Sequence, residues 1–197
     1  MVVRRARPLT APLWRQQNDK GFTLIDVMLT IGIIGIVSTI AVVQIGEAQL
    51  SLKGDGGMRV VAAQLNIARE LAISQRRNMR VQFVGTNELD VIRQEVAAGT
   101  TLLSRIFLEG GVRYAVVPGL PDTPDAFGNL QAVDFGAAAT LMFSSEGTLI
   151  DGNGNPVNGT IFLALPSVSR SARSITILGA TGRVSAYRWD GSRWVRV

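Results

Sequence analysis

The sequence predicts an α+β protein in which one long N-terminal helix leads into an antiparallel β domain. Three observations carry this. Phe22 to Ile45 is a 24-residue apolar run with one formal charge, Asp26. From Met58 to Ala72 apolar residues recur every three or four positions. After Asn78 the period falls to two, and short apolar stretches alternate with glycine- and asparagine-rich turns.

The apolar run comes first. As a helix it rises about 36 Å, enough to cross a hydrocarbon core of about 30 Å with some tilt. An ordinary secretory signal has an apolar core of roughly 7 to 15 residues followed by a small-x-small cut. This run is longer and lacks such a cut. The basic residues precede it: Arg4, Arg5, Arg7, Arg15 and Lys20 stand against Asp19 alone. That asymmetry keeps the N-terminus cytoplasmic and puts the bulk of the chain across the membrane. It also accounts for most of the net charge of +5, since the remaining 15 basic and 14 acidic residues nearly cancel. Gly32, Gly35 and Ser38 fall on one helix face, a spacing that lets helices approach closely. Glycine is also common in membrane helices generally.

Residues 46–57 are polar and glycine-rich, and Gly54, Gly56 and Gly57 are expected to weaken the helix by about 1 kcal/mol each. Beyond them Met58, Val61, Leu65, Ala68 and Ala72 define one apolar face, with Val60, Ile67 and Leu71 expected to widen it. Arg59, Asn66, Arg69, Glu70 and Arg76 lie opposite, and Asn78 is the expected stop. Nine strands are predicted after it: 79–84, 89–94, 102–107, 112–117, 140–144, 160–165, 174–178, 183–188 and 192–197. The longest stretch without a strand pattern, 118–139, is expected to be functional or mobile.

The chain contains no cysteine and no histidine. Disulfides, Cys/His zinc sites, and Ser-His-Asp or Cys-His nucleophiles are therefore excluded. No enzyme activity, cofactor or metal is expected.

Asp26 needs an explanation. A carboxylate in a membrane helix costs about 2.5–3.5 kcal/mol at the centre and less near an end. A cut between Gly21 and Phe22 would supply a partner, because the new amine would begin the helix about one turn from Asp26. At about 4 Å and an effective dielectric near 20, the two charges attract by about 4 kcal/mol. The pairing can lie within one chain or reach the amine of a neighbouring helix. Glycine before the cut gives a peptidase close access to the backbone.

Lys20-Gly21-Phe22-Thr23-Leu24-Ile25-Asp26 resembles the signal of type IV prepilins and type II secretion pseudopilins. The resemblance implies a type IV pilin-like fold, cleavage after Gly21 by a prepilin peptidase, and methylation of the new N-terminus at Phe22. It implies an assembly role for Asp26, where the family has glutamate. It further implies a single-pass inner-membrane protein with a cytoplasmic N-terminus and a periplasmic β domain. Other pilins or pseudopilins and an assembly platform would be its partners. Leu65 to Phe83, Phe143 to Leu149 and Ile175 to Tyr187 are similar to the GspH/FimT group of minor pseudopilins and minor pilins. The expected organisation is a leader at 1–21, a transmembrane and filament-core helix at 22–45, an amphipathic continuation at 46–78, and a β-rich domain at 79–197.

Two further patterns invite a ligand. Asp151-Gly152-Asn153-Gly154-Asn155 imitates the start of a calcium loop, but Pro156 and Phe162 stand where that loop has glycine and glutamate. A hairpin turn is the expectation. Residues 170–197 hold six arginines against Asp190, with Tyr187, Trp189 and Trp194 between them. Arg183, Arg188, Arg193 and Arg196 are thus candidates for nucleic acid, as in FimT-like minor pilins that take up DNA. The alternative is an edge hairpin charged for solubility.

Overall fold

The computed structural model describes residues 21–197. It divides after Val42 into two units, each described by itself. One helix, α1, runs Leu24–Gln75 without interruption. The basic leader residues lie outside the described part. In the first unit the stretch Leu24–Val42 is long and apolar enough to cross a membrane, and its side chains are exposed. Its hydroxyls are served within the helix: Thr30 Oγ1 donates to the Val27 carbonyl at 2.8 Å and Thr39 Oγ1 to that of Gly35 at 2.9 Å. Such back-bonding spares an apolar environment two unpaired donors.

In the second unit α1 buries Met58, Val61, Leu65, Ala68 and Ala72. Leu71 packs beside them, whereas Val60 and Ile67 are 44% and 45% exposed, so they do not widen the buried face as expected. They lie about 120° and 140° around the helix from the centre of that face, against about 100° for Leu71. The glycines do not break the helix. A Cβ at Gly54 would run into the Ser171 carbonyl, and one at Gly57 would press on Val112. Close packing thus offsets the propensity cost that local reasoning assigned to them.

Eleven strands follow, all antiparallel. β1 (Met79–Val84), β2 (Glu88–Gln94), β3 (Thr100–Phe107), β6 (Leu141–Phe143) and β7 (Leu149–Ile150) form one sheet in the order β3-β2-β1-β6-β7. The second sheet has the order β11-β10-β9-β8-β4. It is built from β4 (Arg113–Tyr114), β8 (Gly159–Ala164), β9 (Arg173–Leu178), β10 (Arg183–Trp189) and β11 (Trp194–Arg196), and β5 (Val133–Asp134) also pairs with β8. All nine predicted segments contain a strand, but 112–117 shrinks to Arg113–Tyr114. The two-residue β5 and β7 lack a period long enough to detect.

The main core joins the helix face to Met79, Leu89, Val91 and Phe143 of the first sheet and to Ile161, Leu163, Ile175 and Ile177 of the second. A second cluster occupies the other face of β8 to β11: Val117, Phe162, Ala164, Ala172, Tyr187 and Trp194. Part of the long 118–139 connection anchors there. Trp194 Nε1 donates to the Pro121 carbonyl at 2.9 Å, and the hydroxyls of Thr176 and Tyr187 donate to Asp125 Oδ2 at 2.5 and 2.8 Å. The segment is a cover for the second sheet, which is why β8 is buried throughout.

On the first sheet Asp90 is buried under a two-bond pair with Arg105, at 2.8 and 2.7 Å. The Arg105 hydrogen bonds hold the Asp90 carboxyl below its ordinary value. A depressed carboxylate contributes stability that is full above its unfolded pKa and is lost as pH falls through the folded one. Asp90→Asn is therefore expected to melt below the wild type at neutral pH, and the gap should close on acidification below about pH 4. Thermal unfolding across pH checks this.

Candidate functional site

Gly21, Phe22 and Thr23 precede the helix. Thr23 is its N-cap and Asp26 its third residue, and the two bond reciprocally. The Thr23 amide and hydroxyl donate to Asp26 Oδ2 at 3.0 and 2.7 Å, and the Asp26 amide reaches Thr23 Oγ1 at 3.3 Å. This is a capping box with aspartate in place of the usual glutamate. The shorter side chain reaches because its donors, the Thr23 amide and hydroxyl, are only one turn away. Both donated bonds fall on Oδ2, so Oδ1 takes part in neither. Sequence reasoning singled out Asp26 but passed over Thr23; the Thr-x-x-Asp spacing was the available signal. Phe22 is 90% exposed, and a side chain at Gly21 would meet nothing within 4 Å. Gly32 and Gly35 are equally open. The local arrangement is a bare peptide followed at once by a fixed helix start.

The arginine-rich C-terminus is arranged differently from a single patch. In the β10–β11 register Tyr187 stands opposite Arg196, and Arg188 opposite Val195. Residues paired across an antiparallel ladder share a face, so Arg188 and Arg196 lie on opposite faces. Arg196 Nη2 is 3.3 Å from Ser185 Oγ. Arg193 sits in the turn with Nε 3.5 Å from Asp190 Oδ2, and Arg183 is exposed at the start of β10. The Asp190 carboxyl is held at about 2, mainly by the Arg193 amide and then by the Ser192 amide. Tyr187 and Trp194 are buried in the second core with their polar atoms bonded, and Trp189 packs on Trp194 at 5.4 Å. The aromatics between the arginines are thus core residues, and Tyr187 and Trp194 offer no exposed ring for a base.

At the calcium-like sequence, Asp151 Oδ1 accepts the Asn153 and Asn155 amides, each at 2.8 Å. Those bonds, the Asn155 amide first, lower its pKa. The carboxylate closes its own loop, the geometry of a hairpin turn.

Comparison with known proteins agrees with the N-terminal geometry. Residues 16–42 match the family model described as the prokaryotic N-terminal methylation motif. No curated protein matches the chain in sequence. Among solved structures it is similar to the type IV minor pilin FimU of Pseudomonas aeruginosa in two crystal forms. The first shows 17% identity and a TM-score of 0.49 over 72% of this chain and 91% of that one. The second shows 18% and 0.48 over 72% and 96%. It is also similar to the minor pseudopilin EpsH from the Type 2 Secretion System of Vibrio cholerae, at 15% identity and a TM-score of 0.46 over 71% and 98%. A likeness of this extent assigns no function by itself. The chain thus carries the N-terminal methylation motif over residues 16–42, and its helix leads in sequence to two antiparallel sheets.

Proposed function

We propose that this chain is a minor structural subunit of a type IV pilus or a type II secretion pseudopilus, without catalytic residues of its own. The observation that carries the reading is the methylation motif over 16–42, whose residues from Leu24 onward form an exposed apolar helix that begins three residues after Gly21. Prepilin peptidase cuts after Gly21 and methylates Phe22. The Thr23–Asp26 cap supports this, because it keeps the helix from running back over the Gly21–Phe22 bond, and a peptidase needs that bond outside regular structure. The helix anchors the chain in the inner membrane with its N-terminus cytoplasmic and its β domain periplasmic. It then passes, through the assembly platform, into a filament core of other pilins or pseudopilins.

Mass spectrometry of the mature protein tests the reading. The expected first residue is Phe22, heavier by one methyl group; an intact Met1 start would sink it. In assembly the Asp26 carboxylate meets the new amine. Asp26→Ala should lower incorporation into sheared filaments at least about tenfold, a conservative fraction of an attraction of about 4 kcal/mol. Asp26→Glu should retain it. Immunoblots of the filament fraction decide the matter, and normal assembly of Asp26→Ala would refute the pairing.

A DNA-binding minor pilin for uptake is the second reading, drawing on the exposed Arg183, Arg188 and Arg193. The split of the arginines between faces and the buried aromatics favour the structural role. Gel shifts with alanine variants at these positions discriminate, since phosphate contacts weaken steeply with salt.

A further inference from the structure

β1 loses one neighbour before it ends. β6 accompanies only Met79 to Val81, whereas β2 runs beside the strand to Val84. Gln82, Phe83 and Val84 are therefore paired on one side. Gln82 and Phe83 line a cleft with a cavity volume of about 580 Å³, bordered by Ala138 to Thr140 ahead of β6 and by a wall at Ala132 and Val133. That wall leads into β5, which is itself paired only to β8.

Two buried donors line the cleft without acceptors. Tyr114 is 6% exposed and its hydroxyl has no hydrogen-bond partner; the buried Nε of Arg80 has none either, although Arg80 Nη2 donates to Gln82 Oε1 at 2.9 Å. Leaving such groups buried and unpaired carries a desolvation penalty that an acceptor would relieve. Burial, and after it the Glu88 charge, push the Tyr114 phenol up, so it stays a donor throughout the physiological range. Among the lining residues Arg80 alone carries a formal charge.

We propose that this cleft docks an extended, acidic peptide segment of a partner protein, added as a strand beside Gln82–Val84, with a carboxylate on Arg80 and a carbonyl on Tyr114. The half-paired edge supplies main-chain bonds, and the orphaned donors supply selectivity. The Tyr114 ring stands edge-on to Phe83 at 5.3 Å, three residues along β1 from Arg80. Arg80 lies with Gln82 on the other face of β1 from Phe83, so a strand laid along the edge, whose successive residues face opposite ways, meets both donors within about four residues. A nucleic acid would bring phosphates to a single arginine and leave the strand edge unused. The site is independent of N-terminal processing and holds for either kind of filament.

The test titrates the isotope-labelled full chain, in detergent micelles, with a capped peptide of alternating valine and aspartate and its valine–asparagine counterpart. Backbone amides of Gln82–Val84 and Gln131–Val133 should shift. The asparagine peptide should bind about tenfold more weakly, the size expected for one charged hydrogen bond. Arg80→Gln should abolish that difference. Tyr114→Phe should weaken both peptides alike and leave thermal stability unchanged or raised, since it removes only an unpartnered hydroxyl. Shifts elsewhere, no discrimination between the peptides, or the same amides moving on dilution of the chain alone would each overturn the proposal; the last would make a second copy the occupant.

Discussion

Arg173→Ala is expected to lower the unfolding free energy by about 3 kcal/mol, the loss that follows when one member of a buried ion pair is removed. Arg173 is 0% exposed at the start of β9. Its Nε donates to Asp55 Oδ1 at 2.6 Å, and Nη2 donates to the carbonyl and hydroxyl of Ser51, both at 2.8 Å. Nη1 donates to the carbonyls of Arg170 and Ala172, both at 2.9 Å. All five guanidinium N–H groups are thereby used. The side chain ties the Ser51–Asp55 turn of α1 to the second sheet beside the glycine contact at Gly54. Truncation leaves a buried carbonyl cluster and an Asp55 without its cation. Lysine would restore the charge but not the fork, so Arg173→Lys should recover only part of the loss. Replacing both partners with apolar residues should be milder than Arg173→Ala alone, because no stranded charge remains. Urea unfolding followed by tryptophan fluorescence measures all three. A loss under about 1 kcal/mol for Arg173→Ala would mean the anchor is not what holds the helix here.

Gly182→Ala should cost about 2 kcal/mol or more, on two counts. Its φ is +61°, where a side chain pays about 1–2 kcal/mol. An added Cβ would also strike the Gly147 carbonyl and the side chain of Arg69. The backbone cannot yield easily, since Arg69 Nε donates to that same carbonyl at 2.9 Å. Gly85→Ala is the control: its φ is +59°, but nothing lies within 4 Å of a Cβ there. It should show the conformational cost alone. Equal losses at the two positions would show that the contact with Gly147 is unimportant.

The same contact joins three scattered segments of the chain. Arg69 on the helix, Gly147 before β7 and Gly182 before β10 are far apart in sequence and meet at one point. Their residue types were legible; their meeting was not.

What the sequence determined by itself was periodic or local. The membrane-length run, the buried face of Met58 to Ala72 and the strand-bearing segments depend on spacings of a few residues, as does the Thr23–Asp26 cap, whose Thr-x-x-Asp signal was present but passed over. The motif at 16–42 is of the same kind, a short linear stretch. Tertiary structure decided whatever depended on a distant neighbour. Gly54 and Gly57 looked like weak points until Ser171 and Val112 came against them. Tyr187 and Trp194 looked available for bases until Asp125 and Pro121 covered them. Residues 118–139 show no strand pattern and on that ground are expected to be functional or mobile, yet Pro121 and Asp125 tie them to the second core. The open edge of β1 exists only because β6 leaves after Val81. A residue's own chemistry sets what it prefers locally; whether it is buried, paired or left with a free donor depends on which chain segment folds back against it.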